Sequence, residues 1–290
     1  MTTLTLGYSP CPNDTYIFGA LALGLTRAPG VTFDIRLADV QTLNEWALEG
    51  RLDVTKLSFA ALLTPPIAAR YALLDVGAAL GRHCGPLVVA RKPFAPEALR
   101  RKRLVTPGRL TTAHLLIRLF TDDAPIVTEL PFERIMPAVA AGDYDAGVII
   151  HESRFVYPTF GLTRIVDLGE WWEATTGLPL PLGGIAIRQT LDETTRRLVT
   201  EAARESLSYA DARPEAIRPY IAAHAQEMSA DVQARHIALY VNEFTRDLGA
   251  EGRAAIEALR CRSRLLTDGA GRQPETTPGS SPSPAPSAAR

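Results

Sequence analysis

A chain of 290 residues with 46% hydrophobic and 22% charged residues has the composition of a soluble globular protein and room for two domains. Its net charge of -1 leaves no basic footprint for nucleic acid or an anionic membrane, and no apolar run reaches the ~18 residues of a membrane span. Cys11, Cys84 and Cys261 are too widely spaced for a zinc site or a disulfide framework, and the N-terminal residues lack the pattern of a signal peptide, so a cytoplasmic protein is expected.

Leu4–Tyr8 reads as the first strand. Ser9-Pro-Cys-Pro-Asn-Asp-Thr15 is a turn into a helix over 14–24, with Asn13 or Asp14 as N-cap and Gly24 as the stop. This turn sets the Ser9 hydroxyl, the Asn13 amide and free helix N–H groups at a strand's carboxyl end. Val31–Leu37 alternates like a strand, and 42–50 is helical, with Thr42 or Asn44 near its start. Residues 52–58 form a second strand-to-helix transition. Lys56 sits at its end, and Ser58 can cap a helix over 59–63 before Pro65-Pro66 breaks it. A lysine beside a cap makes an anion site plausible, although such a lysine is more often a solvated side chain. Residues 73–79 and 86–91 are further strands, and His83 between them reads as structural.

A basic surface helix is expected over 92–103, then a strand over 103–106. Pro107-Gly-Arg-Leu-Thr-Thr112 leads into a helix over 113–120, capped by Thr111 or Thr112, whose positive end faces beyond the strand. A strand over 126–130 and a helix over 134–141 follow. Ala146–Ile150 is then a run of small and β-branched residues, as in a strand buried on both faces, and it stops at His151, Glu152, Ser153 and Arg154. The carboxyl end of such a strand is where open α/β sheets bind ligands. Glu152 should point away from His151, because adjacent strand residues face opposite sides. Residues 155–165 read as loop, Trp171-Trp172 as part of a helix or a cover, and 183–188 as a strand. From 191 to 266 the pattern is helical. The Pro/Ser/Ala-rich 273–290 reads as a disordered tail.

Strands alternating with helices predict an α/β fold with largely parallel sheets. The breaks near 91 and 190 predict one lobe from 1–90 plus 190–270 and a second from 91–189. Ser9–Thr15, Lys56–Ser58, Thr111–Thr112 and His151 would then face one cleft.

Four segments, in this order, resemble the 1,4-dihydroxy-6-naphthoate synthases of menaquinone biosynthesis: Ser9-Pro-Cys-Pro-Asn-Asp-Thr15, Lys56-Leu57-Ser58, Leu110-Thr-Thr-Ala113 and Gly147-Val-Ile-Ile-His-Glu-Ser-Arg-Phe155. The resemblance covers roughly residues 4–266. It implies a two-lobe, periplasmic-binding-protein-like (type II) fold with a ligand cleft between the lobes. It also implies a lyase, free of cofactor and metal, that cleaves the small molecule cyclic dehypoxanthinylfutalosine to 1,4-dihydroxy-6-naphthoate and a dihydroxyacetone fragment. The family's catalytic base falls on His151, and its substrate-contact segments fall on Lys56, Leu57 and Ser58 and on Thr111 and Thr112. Imidazole suits that role, because its ordinary pKa of ~6.5 leaves it mostly neutral at pH 7. Two alternatives stand beside this reading. A chorismate dehydratase shares the architecture but should lack Ile149-Ile-His-Glu, and a non-catalytic solute-binding protein would need export.

Overall fold

The computed structural model describes residues 2–123, 127–225 and 229–269. The tail over 273–290, read as disordered, lies outside the described residues. In chain order the strands are β1 (Thr2–Tyr8), β2 (Val31–Leu37), β3 (Val54–Ser58), β4 (Tyr71–Leu73), β5 (Ala79–Gly81), β6 (Leu87–Ala90), β7 (Leu104–Thr106), β8 (Val127–Glu129), β9 (Ala146–Ile149), β10 (Thr163–Asp167) and β11 (Leu180–Arg188). They form two sheets, one ordered β2-β1-β3-β11-β4 with β5 also paired to β11, the other β10-β6-β9-β7-β8.

Both sheets are mixed, not largely parallel. β1 runs parallel to β2 and β3, and β7 runs parallel to β8 and β9. β11 is antiparallel to β3, and β6 is antiparallel to β9 and β10. These two antiparallel strands are the ones reached as the chain passes between the sheets. The expected lobe limits therefore shift at both crossings. β6 precedes residue 91 yet belongs to the second sheet, and β11 lies before 190 yet belongs to the first. The last helix, Gly249–Gly269, also packs on the second sheet's helix Thr112–Thr121 as well as on β11. One apolar cluster runs from Phe59 and Leu80 through Val88, Leu116 and Val148 to Trp172 and Leu259. Gly85, on the first crossing, and Gly169, before the second, let the two connections touch, since a Cβ on Gly85 would lie 2.2 Å from the Gly169 nitrogen.

Several helix starts differ from the sequence reading. Asp39 caps the helix Val40–Glu49, accepting from the Gln41 and Thr42 N–H groups, while Asn44 is buried inside it. The first helix, Pro12–Ala22, begins with a proline whose fixed φ suits that place, so neither Asn13 nor Asp14 is its cap. Residues 73–79 are no single strand but the connection from β4, which ends at Leu73, to β5, which starts at Ala79, and 92–103 holds a 3-10 turn, Pro96–Arg101. Residues 155–165, expected as loop, contain the second half of a short helix (Ser153–Val156), a 3-10 turn (Tyr157–Phe160) and the start of β10. Trp172 is fully buried, and its indole N–H donates to the Pro179 carbonyl, so it packs the core and walls no pocket.

Candidate active site

The carboxyl ends of β1, β3 and β9 and the start of the helix Thr112–Thr121 meet around one cavity. Ser9, Asn13, Lys56, Leu57, Ser58, Thr111, Thr112 and His151 all line it. The structure thus brings together every residue singled out from sequence, but most of their polar atoms are engaged with the protein itself.

Lys56 is the clearest case. It is 4% exposed, and its ammonium lies 2.9 Å from Asp14 Oδ1 and donates to the Gly77 carbonyl. Asp14 also accepts from the Ser9 N–H and hydroxyl and from the Asn13 amide. The pair is neutral as a whole, so Lys56 brings no net cation to the cavity.

Ser58 occupies the first position before the short helix Phe59–Leu62 but makes no cap through its hydroxyl. Instead its N–H donates to Asn44 Oδ1, and its Oγ accepts from Asn44 Nδ2. The start of that helix is served from across the cleft, because the Ala60 N–H donates to Thr112 Oγ1 at 3.2 Å. The Thr112 hydroxyl in turn donates to the Leu182 carbonyl at 2.7 Å. Thr111 is the true N-cap of the helix Thr112–Thr121, accepting from the His114 N–H while donating to the Gly108 carbonyl. Thr112 and Ala113 line the cavity, and their N–H groups, in that helix's first turn, have no partner inside the helix. This is the positive end offered to an anion.

These bonds commit the Thr112 hydroxyl to the protein itself on two sides. Thr112→Val should leave the Leu182 carbonyl and the Ala60 N–H without their partner and cost about 1–3 kcal/mol of stability in urea unfolding. Unchanged stability with a raised KM would instead return the hydroxyl to the substrate.

β9 ends one residue earlier than expected, at Ile149, and His151 turns the chain with φ 56°. A histidine in the left-handed region is uncommon, and strain of this kind gathers at functional sites. The turn also overturns the expectation for Glu152. Because the strand has already ended, Glu152 does not point away: one ligand atom each from Cys11, His151 and Glu152 lie within 4.8 Å of one another. His151 Nδ1 is 3.4 Å from Cys11 Sγ, and its ring stands edge-on to Phe132. Burial lowers the His151 imidazole below its ordinary range and pushes the Cys11 thiol well above its own. This trio is the candidate metal-ligand group among the described residues, but its thiol would have to lose a proton that burial strongly retains.

Sequence reasoning missed Asp14 as an ion partner, Cys11, and His236, which comes from the helix Ala230–Tyr240. His236 is fully buried at the cavity wall, with its ring beside Tyr240 and 6.4 Å from that of His151. Arg154 is structural: it binds Asp167, the cap of the helix Leu168–Thr176, and the Gly85 carbonyl.

Two α/β lobes with helix starts and strand ends around one cleft define a periplasmic-binding-protein-like fold. The structure superposes on the periplasmic aliphatic sulphonate binding protein SsuA from Escherichia coli with a TM-score of 0.64 at 13% identity, covering 99% of this chain and 97% of that one. A crystallised protein from Archaeoglobus fulgidus gives a TM-score of 0.84 at 30% identity over 93% of this chain and 98% of that one. The family described as menaquinone biosynthesis matches residues 4–264. Within it, the 1,4-dihydroxy-6-naphthoate synthase of Thermus thermophilus is 51% identical over 89% of this chain and 93% of its own. The corresponding synthase of Streptomyces coelicolor is 47% identical over 90% and 93%. The chain belongs to this menaquinone-biosynthesis family and is an enzyme of it. Among the described residues, no helix is long and apolar enough to cross a membrane.

Proposed function

We propose that this protein is a cytoplasmic carbon–carbon lyase that cleaves cyclic dehypoxanthinylfutalosine to 1,4-dihydroxy-6-naphthoate and a dihydroxyacetone fragment, with His151 as the general base. The observation that carries the role of His151 is its place: a half-buried, left-handed strand-end histidine opening onto the cavity in which the four family-like segments meet. In the tautomer this role requires, Nδ1–H faces the Cys11 sulfur 3.4 Å away and Nε2 keeps the lone pair of the base. Nε2 takes a proton from the substrate. The carbon–carbon bond to the three-carbon unit then breaks, the bicycle becomes aromatic, and the departing fragment receives a proton.

The substrate carboxylate is read as facing the Thr112 and Ala113 N–H groups, since the Lys56 charge is already matched by Asp14. Apolar wall residues, among them Val40, Leu57 and Leu182, suit a bicyclic ring and keep water from the reacting centre.

The pH profile of kcat/KM for naphthoate formation tests this reading. The base works unprotonated, so activity is lost as pH falls through the His151 pKa. Because burial lowers that pKa, the acidic limb should have its midpoint below the ~6.5 of free imidazole. A midpoint above 7 would contradict a neutral base in this desolvated position.

A further inference from the structure

Asn44 makes three hydrogen bonds whose consequence reaches beyond the packing of its helix. It is fully buried inside the helix Val40–Glu49 and is not among the residues that line the cavity. Its Oδ1 accepts from the Ser58 N–H at 3.0 Å, and its Nδ2 donates to Ser58 Oγ at 3.1 Å and to the Leu110 carbonyl at 3.3 Å. Burying an amide costs free energy unless its bonds are made, and here both ends are engaged.

Two of these partners can play one role each, and together they fix the amide. A backbone N–H only donates, so Oδ1 is what faces the Ser58 nitrogen. A carbonyl only accepts, so Nδ2 is what faces Leu110. Ser58 Oγ, bonded to that same Nδ2, must therefore accept. A hydroxyl that accepts still has its own hydrogen to give. Among the described residues no protein group takes that hydrogen, and Ser58 lines the cavity.

Asn44 also ties the two lobes together. Ser58 ends β3 of the first sheet, whereas Leu110 follows β7 of the second and directly precedes Thr111 and Thr112. One turn earlier on the same helix, Gln41 Oε1 accepts from the Leu110 N–H at 3.2 Å. The two amides thus hold both backbone polar groups of Leu110. The loop sits so close that a Cβ on Gly108 would lie 2.3 Å from Gln41 Oε1.

We infer that Asn44 is a positioning residue for the carboxylate subsite: it leaves the Ser58 hydroxyl hydrogen to the ligand and sets that donor beside the Thr112 helix start. The inference rests on the reading that the substrate carboxylate faces the Thr112 and Ala113 N–H groups. An anionic oxygen there gains a further donor, a hydroxyl whose role is settled before the ligand arrives. Asn44 acts through Ser58 and does not touch the ligand.

The test is a double-mutant cycle on affinity, read by calorimetric titration with 1,4-dihydroxy-6-naphthoate and by KM for the cyclic substrate, with urea midpoints alongside. Ser58→Ala removes the donor and should weaken binding ~10-fold or more, the size of a hydrogen bond to a charged group. Asn44→Ala lets the hydroxyl turn to the Leu110 carbonyl instead. It should weaken binding by a similar factor, with kcat near that of the parent. The double variant should bind as Ser58→Ala does, ~10-fold and not ~100-fold more weakly than the parent. Asn44→Ser, whose hydroxyl can partner one of the two backbone groups, replaces Asn44→Ala should that variant fail to fold.

A lower urea midpoint with unchanged affinity would make Asn44 purely structural, and additive losses would mean that it meets the ligand itself. Either result overturns the inference. A parent that binds the naphthoate with the expected coupling yet leaves the cyclic substrate intact would support the positioning role and overturn the lyase reading. A parent that neither binds the naphthoate nor consumes the cyclic substrate would overturn both.

Discussion

Replacing His151 by Asn should give a folded protein that still binds substrate and turns it over about 10²–10⁴-fold more slowly. Asn is the informative choice for two reasons. It cannot take the proton, and of the non-glycine residues it is among those best tolerated at the φ of 56° found here. His151→Ala would confound the loss of the base with backbone strain at a left-handed position. Binding should survive because the carboxylate and ring contacts proposed above lie on other elements. The check is steady-state kinetics beside direct titration with substrate. A fall in affinity that accounts for the whole loss of activity would make His151 a binding residue instead.

The second large effect is on stability. Lys56→Met should destabilise the protein by about 3–5 kcal/mol, because it strips the cation from a carboxylate that is 2% exposed. The remaining donors to Asp14, from Ser9 and Asn13, are neutral and cannot balance its charge. Adding Asp14→Asn to Lys56→Met should recover part of the loss, since no unpaired charge then stays buried. Urea midpoints of the parent, the single and the double variant measure this. A single variant within 1 kcal/mol of the parent would mean that the ion pair is dispensable and that Lys56 serves some other partner.

Much of this site was legible in the sequence because polar chemistry interrupts apolar runs at only a few places. His151 and Thr111–Thr112 each follow a short strand, Lys56 lies near the end of one, and Ser9 and Asn13 follow the first, so all point to the same edge of an α/β fold. The partners of these residues were not legible. Asp14 looks like any acidic residue in a helix's first turn, and only folding sets its carboxylate 2.9 Å from Lys56. His236 lies in a long helical stretch where a histidine among polar residues carries no signal. Glu152 was misread because strand alternation was extended past Ile149, where the chain has already turned.

At the level of the fold, β10 was hidden by Pro158 and Gly161, which punctuate the segment as a loop. The crossing strand β6 is apolar throughout and β11 is apolar up to Arg188, and such a run reads the same whether its neighbours are parallel or antiparallel. This is why the strand alternation was right and the largely parallel pairing was not.

The most direct measurement is incubation of the purified protein with cyclic dehypoxanthinylfutalosine, with chorismate in a parallel vial, followed by mass detection of both mixtures. The account predicts one 1,4-dihydroxy-6-naphthoate for each substrate consumed, a matching three-carbon fragment, and chorismate left intact. Unaltered cyclic substrate in the presence of folded protein, or loss of water from chorismate, would contradict it.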